Sequence, residues 1–190
     1  MLVTILLLGL MLAATVTDVA RHKIYNWTTY TGMVAALGLG AAGSLLSAYG
    51  CVGEKTLQSL GWIPFMESLL GLLACGFVML VCFVMFRVGG GDVKLIAMLG
   101  ALMGLEQGFM AMLWTFVLGG CVGLIVLVWR VGPLRLLVRA FRQMAWSLRI
   151  GGWSPLTDEE RAQLQPPLFL APCALAAVVV VRFSLLDFLM

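Results

Sequence analysis

Gly89-Gly90-Gly91-Asp92-Val93-Lys94 is a run of three glycines closed by an acid and followed at once by an apolar stretch, Val93 to about Gly108. A carboxylate is costly to place at the edge of a hydrocarbon layer, so an acid here marks either a helix cap or a chemical site. A second acid stands in the same relation to another apolar stretch, since Asp18 follows the run Leu2 to Thr17. Whether the two acids come to the same side of a membrane decides what the chain can do.

The 190 residues are 62% hydrophobic and only 11% charged, with a mean hydropathy of +1.06. That balance excludes a soluble domain. Apolar runs cover Leu2 to Thr17, Trp27 to Tyr49, Trp62 to Phe86, Val93 to about Gly108, Phe109 to Trp129 and Leu168 to Leu186. Each approaches or exceeds the ~20 residues that cross a ~30 Å hydrocarbon core. The expected fold is therefore all-α, a polytopic membrane protein of about six transmembrane helices, with residues 1–190 forming one membrane-embedded domain. Ala13-Ala14 resembles a signal cleavage site, but the segment has no basic start, and it reads as a retained helix. Cys51, Cys75, Cys82, Cys121 and Cys173 stand alone, with no C-x-x-C pair. No metal site, cofactor or nucleic-acid partner is expected from this pattern.

Basic residues near membrane helices concentrate on the cytoplasmic side. Arg21 and Lys23 follow the first run, Arg87 and Lys94 flank the glycines, and Arg130, Arg135, Arg139, Arg142, Arg149 and Arg161 follow the fifth. These are the odd-numbered loops. The even side holds Lys55, Arg182, Glu54, Glu106 and Asp187. Asp18 and Asp92 are both expected to face the cytoplasm.

Trp27, Trp62 and Trp129 fall near expected helix ends, where an indole keeps its ring in lipid and its N–H near water. Between the fifth and sixth runs, Leu134, Leu137, Phe141, Met144 and Leu148 recur at helical spacing, with Arg135, Arg139, Arg142 and Arg149 on another face. A cytoplasmic amphipathic helix on anionic lipid is expected there.

Asp92 taken singly reads as an N-cap, and Asp18 singly as an interfacial residue. Together they read otherwise. Three glycines are a poor way merely to end a helix, but they let another backbone approach closely. From Val93 to Gly104 a helix rises only about 18 Å, which puts Asp92 below the membrane surface unless the helix runs on through Glu106. Two neighbouring carboxylates can share one proton, leaving one as base and one as acid.

The stretch Asp18-Val19-Ala20-Arg21-His22-Lys23-Ile24-Tyr25-Asn26 resembles the first-aspartate motif of the type IV prepilin peptidases, an Asp followed by basic residues and then Ile-Pro-Asn. Gly89-Gly90-Gly91-Asp92-Val93-Lys94 resembles their second motif, the Gly-x-Gly-Asp signature shared with presenilin-type proteases. Tyr25 stands where the family usually has proline. Pro166-Pro167-Leu168-Phe169-Leu170-Ala171-Pro172 is only loosely similar to the family's Pro-Phe-Gly-Pro segment and is given no role. The long form's cytoplasmic loop with paired cysteines is missing, so the chain resembles the short form, without N-methyltransferase activity, found with tight-adherence pili.

The resemblance implies an aspartic endopeptidase of the bacterial inner membrane that cuts leaders from prepilin or pseudopilin precursors at the cytoplasmic face. Its further partners would be the lipid bilayer and assembly proteins of a pilus or secretion apparatus. Asp18 and Asp92 would be catalytic, and Gly89, Gly90, Gly91 and Lys94 would shape the site. Because a helix N-terminus favours an anion, Asp92 is assigned as base and Asp18 as the proton-bearing acid. His22 is read as interfacial. The competing readings are a non-catalytic scaffold of a pilus or secretion apparatus and a proton-coupled transporter subunit; against the latter, the glycine-acid motif has no second copy.

Overall fold

The structure is a computed structural model that describes residues 2–21, 24–49, 61–86, 89–132, 138 and 170–183. Its regular elements are all helices: α1 (Leu2–Arg21), α2 (Asn26–Ala48), α3 (Phe65–Phe86), α4 (Gly90–Met103), α5 (Leu105–Val131) and α6 (Leu170–Arg182). Contacts divide the chain into two units, Met1–Phe116 with Phe169–Met190, and Val117–Leu168. In the second unit the described part is essentially the apolar end of α5, where Trp129 is 88% exposed. The expected amphipathic helix over Pro133 to Ile150 lies outside the described residues. The remainder concerns the first unit.

Val3–Arg21, Asn26–Ala48, Phe65–Met85 and Leu105–Trp129 are long and apolar enough to cross a bilayer. The protein is thus a multi-pass membrane protein. α4 and α6 are shorter, at 14 and 13 residues. The fourth apolar run does not continue to Gly108 as expected. Gly104, at φ 81°, stops α4 in the left-handed region, its N–H donating to the Gly100 carbonyl at 2.9 Å, and the next residue opens α5. Glycine closes helices this way because it lacks the Cβ that penalises positive φ.

α4 is the centre of the unit. Every residue from Leu95 to Met103 is buried, as expected of a helix apolar on all sides. Its closest neighbour is α3, and glycine makes that approach attainable: a Cβ on Gly71 or on Gly100 would run into the other's carbonyl oxygen. Gly108 of α5 meets the same spot, since a Cβ there would lie 2.8 Å from the Gly100 Cα. Small residues at such crossings let helix backbones gain dispersion contact in lipid, where no hydrophobic effect drives them together. The buried Ser68 hydroxyl donates to the Ala101 carbonyl at 2.7 Å and fixes the register of α3 on α4.

Contacts along the helices give their directions. Ser68 faces Ala101, Gly76 faces Ala97 and Gly90 faces Phe83, so α3 and α4 are antiparallel. Asn26 meets Lys94 and Gly32 meets Met98, so α2 runs with α4. Thr4 meets Arg182 while Asp18 meets Ala171, so α1 and α6 are antiparallel. One end of the unit therefore gathers the end of α1 and the starts of α2, α4 and α6. The opposite end gathers Thr4, Trp62, Gly104 and Arg182.

Trp62 departs from the expected interfacial anchor. Its ring packs where a Gly43 Cβ would be, and its indole N–H is buried with no acceptor among the described residues. Trp27, 78% exposed, does fit an interfacial position.

Candidate active site at the aspartate end of the bundle

Asp18 belongs to the inward stripe of α1. Leu7, Met11 and Ala14 are buried at spacings of four and three, and Asp18, four residues further on, continues the stripe at 8% exposure. The periodicity that packs α1 into the core thus carries a carboxyl group in with it. Its buried contact comes from an unexpected quarter: the Ala171 N–H donates to Asp18 Oδ2 at a long 3.4 Å. Ala171 is the second residue of α6, and first-turn amides have no acceptor within their own helix. Pro172, which has no N–H to satisfy, follows it.

Asp92 is half-buried in the first turn of α4. It is not the N-cap that the sequence in isolation indicates. Gly89 caps the helix in an extended conformation (φ −62°, ψ 135°), and Gly90 and Gly91 form the first turn before Asp92. The Asp92 N–H donates to the Gly89 carbonyl at 3.0 Å, and its carboxylate in turn accepts the Gly89 amide. This is the reaching-back half of a capping box. The carboxylate is also within electrostatic reach of Asp18. Two carboxyl groups are thus delivered to the same end of the bundle by separate helices, each beside a helix-start amide.

The glycines serve this geometry individually. A Cβ on Gly89 would sit 3.0 Å from Asp92 Oδ2, and one on Gly91 would sit 3.2 Å from the Ile24 Cβ. Gly90 is less constrained, since a Cβ there would reach Phe83 at an ordinary 3.9 Å. The close neighbour of Gly91 is therefore the protein's own α1–α2 connection. Lys94 ties the same two regions together: its Nζ donates to Asn26 Oδ1 at 2.9 Å and lies 5.0 Å from the centroid of the Tyr30 ring. Lys94 is thus bonded within the fold, beside an aromatic face that favours a cation.

Tyr25, in the place of the usual proline, keeps φ at −72°, inside the range a proline ring would impose. Arg21 holds it from one turn earlier, donating to the Tyr25 hydroxyl and lying over its ring. Side-chain contacts here restrain a turn that proline would stiffen covalently. His22 and Lys23 lie outside the described residues.

Of the site residues expected from sequence, Asp18, Asp92, Gly89, Gly91 and Lys94 are brought into one neighbourhood, with Gly90 beside them. Sequence reasoning missed Ile24, Asn26, Tyr30 and Ala171. Asn26 was inside the first motif and Ala171 inside the proline-flanked stretch, but neither carries chemistry that spacing reveals. A search of curated proteins and a search of solved structures each return no match. A family model described as the type IV leader peptidase family matches residues 5–124, which include Asp18, Asn26, the three glycines, Asp92 and Lys94. With both acidic motifs inside a match over more than half of its length, the chain belongs to the type IV leader peptidase family.

Proposed function

We propose that the protein is a membrane aspartic endopeptidase that removes the leader from type IV-like prepilins or pseudopilins at the cytoplasmic face of the bacterial inner membrane. The observation that supports this reading is that Asp18 and Asp92, from helices far apart in sequence, lie at the same end of the bundle within electrostatic reach. The family supplies the prepilin-type substrate class. The cytoplasmic orientation rests on Arg21, Lys23, Arg87 and Lys94, which cluster in sequence around the two motifs. With six crossings, the two short helices α4 and α6 would complete the span count. The lack of paired cysteines in the sequence supports an enzyme without N-methyltransferase activity.

In the proposed reaction one aspartate is ionised and the other protonated. The carboxylate takes a proton from a water as its oxygen attacks the scissile carbonyl, and the carboxylic acid hydrogen-bonds the carbonyl oxygen. Collapse of the tetrahedral adduct returns a proton to the departing pilin amine. The helix-dipole argument that assigned Asp92 as base loses its force, because the start of α6 serves Asp18 as the start of α4 serves Asp92. The roles are better given to the pair as a unit. Gly89, Gly90, Gly91 and Lys94 shape the site, Lys94 through Asn26.

Cleavage of a purified prepilin by the reconstituted protein tests the reading. Asp18→Asn and Asp92→Asn should each lower the rate by about 10²- to 10⁴-fold or more, the range that a lost acid or base commands. Both variants should still accumulate in the membrane. Processing by either variant at close to the wild-type rate would remove the aspartic mechanism and favour a scaffold.

A further inference from the structure

At the opposite end of the unit, α4 stops after a rise of about 21 Å, short of a ~30 Å hydrocarbon core. Beside its end lies a cavity of about 600 Å³ whose walls include Glu67, Leu70, Leu105, Glu106, Gln107 and Arg182. Each charged group has a local reason to be there. Glu67 and Glu106 stand in the first turns of α3 and α5, and Arg182 in the last turn of α6, where they complement the helix dipoles.

Those local reasons leave the charges unspent on one another. The Arg182 hydrogen bonds among the described residues go to neutral oxygens: Nε and one terminal nitrogen donate to Thr4 Oγ1 at 3.1 and 3.0 Å, and the other terminal nitrogen to Gln107 Oε1 at 3.0 Å. A guanidinium has five N–H groups, so two remain without an acceptor among the described residues, on a fork whose orientation Thr4 and Gln107 already fix. Such a fork matches a phosphate oxygen pair. The two carboxyl groups on the same walls are acceptors suited to an ammonium that can donate hydrogen bonds. Leu70 and Leu105, 46% and 43% exposed, add apolar surface.

We propose that this cavity binds the phosphoethanolamine headgroup of a membrane phospholipid, drawn from the leaflet opposite the aspartates. Arg182 takes the phosphate, Glu67 and Glu106 take the primary ammonium, and Leu70 and Leu105 meet the start of the acyl chains. A choline headgroup has the charge but no N–H to donate, and a glycerol headgroup has no cation. A soluble phosphoethanolamine would gain nothing from the leucines. This proposal is independent of the cleavage chemistry.

The test uses the full-length protein, equilibrated with equal amounts of phosphatidylethanolamine, phosphatidylcholine and phosphatidylglycerol of matched chains and examined by native mass spectrometry. Phosphatidylethanolamine should be retained about tenfold over each of the others, the scale of one charge-assisted hydrogen bond. The double variant Glu67→Gln with Glu106→Gln should reduce that preference to the level of phosphatidylcholine. Arg182→Gln should abolish retention of both zwitterionic lipids. Because Arg182 also joins α1 to α5, circular dichroism must show that variant folded; if it is not, the double glutamate variant, altered only at exposed side chains, decides the matter. Equal retention of the three lipids, a preference for phosphatidylglycerol, an unchanged preference in the double variant, or equal competition by soluble glycerophosphoethanolamine would overturn the proposal.

Discussion

The two ends of the bundle carry similar acids and treat them differently. Glu67, Asp92 and Glu106 each stand in the first turn of a helix, so by local sequence all three are dipole-complementing residues. At the far end Glu67 and Glu106 are exposed and share a cavity with Arg182. At the near end Asp92 is half-buried and lies within electrostatic reach of a second, buried carboxyl, that of Asp18. An acid at a helix start is ordinary until the fold brings it a like-charged neighbour out of water. On the proposed reading, what separates structure from chemistry is the company of the acid rather than its position.

The largest test of that contrast removes charge at each end in turn. In the cleavage assay Glu67→Gln and Glu106→Gln should lose less than about tenfold, well short of the 10²- to 10⁴-fold scale of a removed acid or base. A loss at Glu67 or Glu106 equal to that at Asp92 would show that the ends are not distinct and that the acids act as one relay across the unit, as a proton-coupled transporter would require.

The glycine run sharpens the comparison, because its three members meet different neighbours. Gly91→Val should lower cleavage by tenfold or more and destabilise by about 1–3 kcal/mol, the usual scale of overpacking, since its side chain would be driven into Ile24. Gly89→Ala should lower cleavage with little loss of stability, because its Cβ presses on the mobile end of a side chain, the Asp92 carboxylate. Gly90→Ala should be nearly silent in both measurements, its Cβ having room against Phe83. Equal effects at all three positions would mean that the run acts only through backbone flexibility.

Much of this arrangement was legible in the sequence, and what was not has a physical reason. The two acids at the ends of apolar runs were legible as candidates, but the inward face of α1 was not, because Ile5, Leu12 and Val16 are as apolar as Leu7 and Met11 and yet exposed. The apolar run after Lys94 was legible as a helix, but not as one buried from Leu95 to Met103, because a lipid-facing helix has the same composition. The end of α4 was not legible, because a glycine within an apolar run looks the same whether it packs a helix, as Gly100 does, or closes one, as Gly104 does. The N-cap was displaced by three residues, since Asp can accept an amide from the cap position or from the third position of the helix. The contact of Ala171 with Asp18 spans 153 positions and uses a backbone amide, which every residue but proline possesses. No side-chain pattern announces such a partner.

The smallest expected effect concerns Lys94, and it separates positioning from chemistry. Lys94 meets Asn26 and Tyr30 within the fold, so its part in turnover would be to hold the start of α2, and with it the segment leading from Asp18, against the start of α4. Lys94→Met and Asn26→Ala should each slow cleavage by roughly three- to tenfold, through kcat more than KM, with the pH dependence of kcat keeping its shape. That range is about 0.7–1.4 kcal/mol, below the ~1.5–3 kcal/mol of a strong hydrogen bond to a charged group, as suits a contact that is exposed. If its loss acts through one shared contact, the double variant should be little worse than either single one. Lys94→Arg should restore part of the rate, since a guanidinium can still donate to Asn26 and lie over Tyr30. Fully additive losses in the double variant, or a displaced pH profile in Lys94→Met, would place the ammonium in the proton chemistry of the pair instead of in the scaffold that holds it.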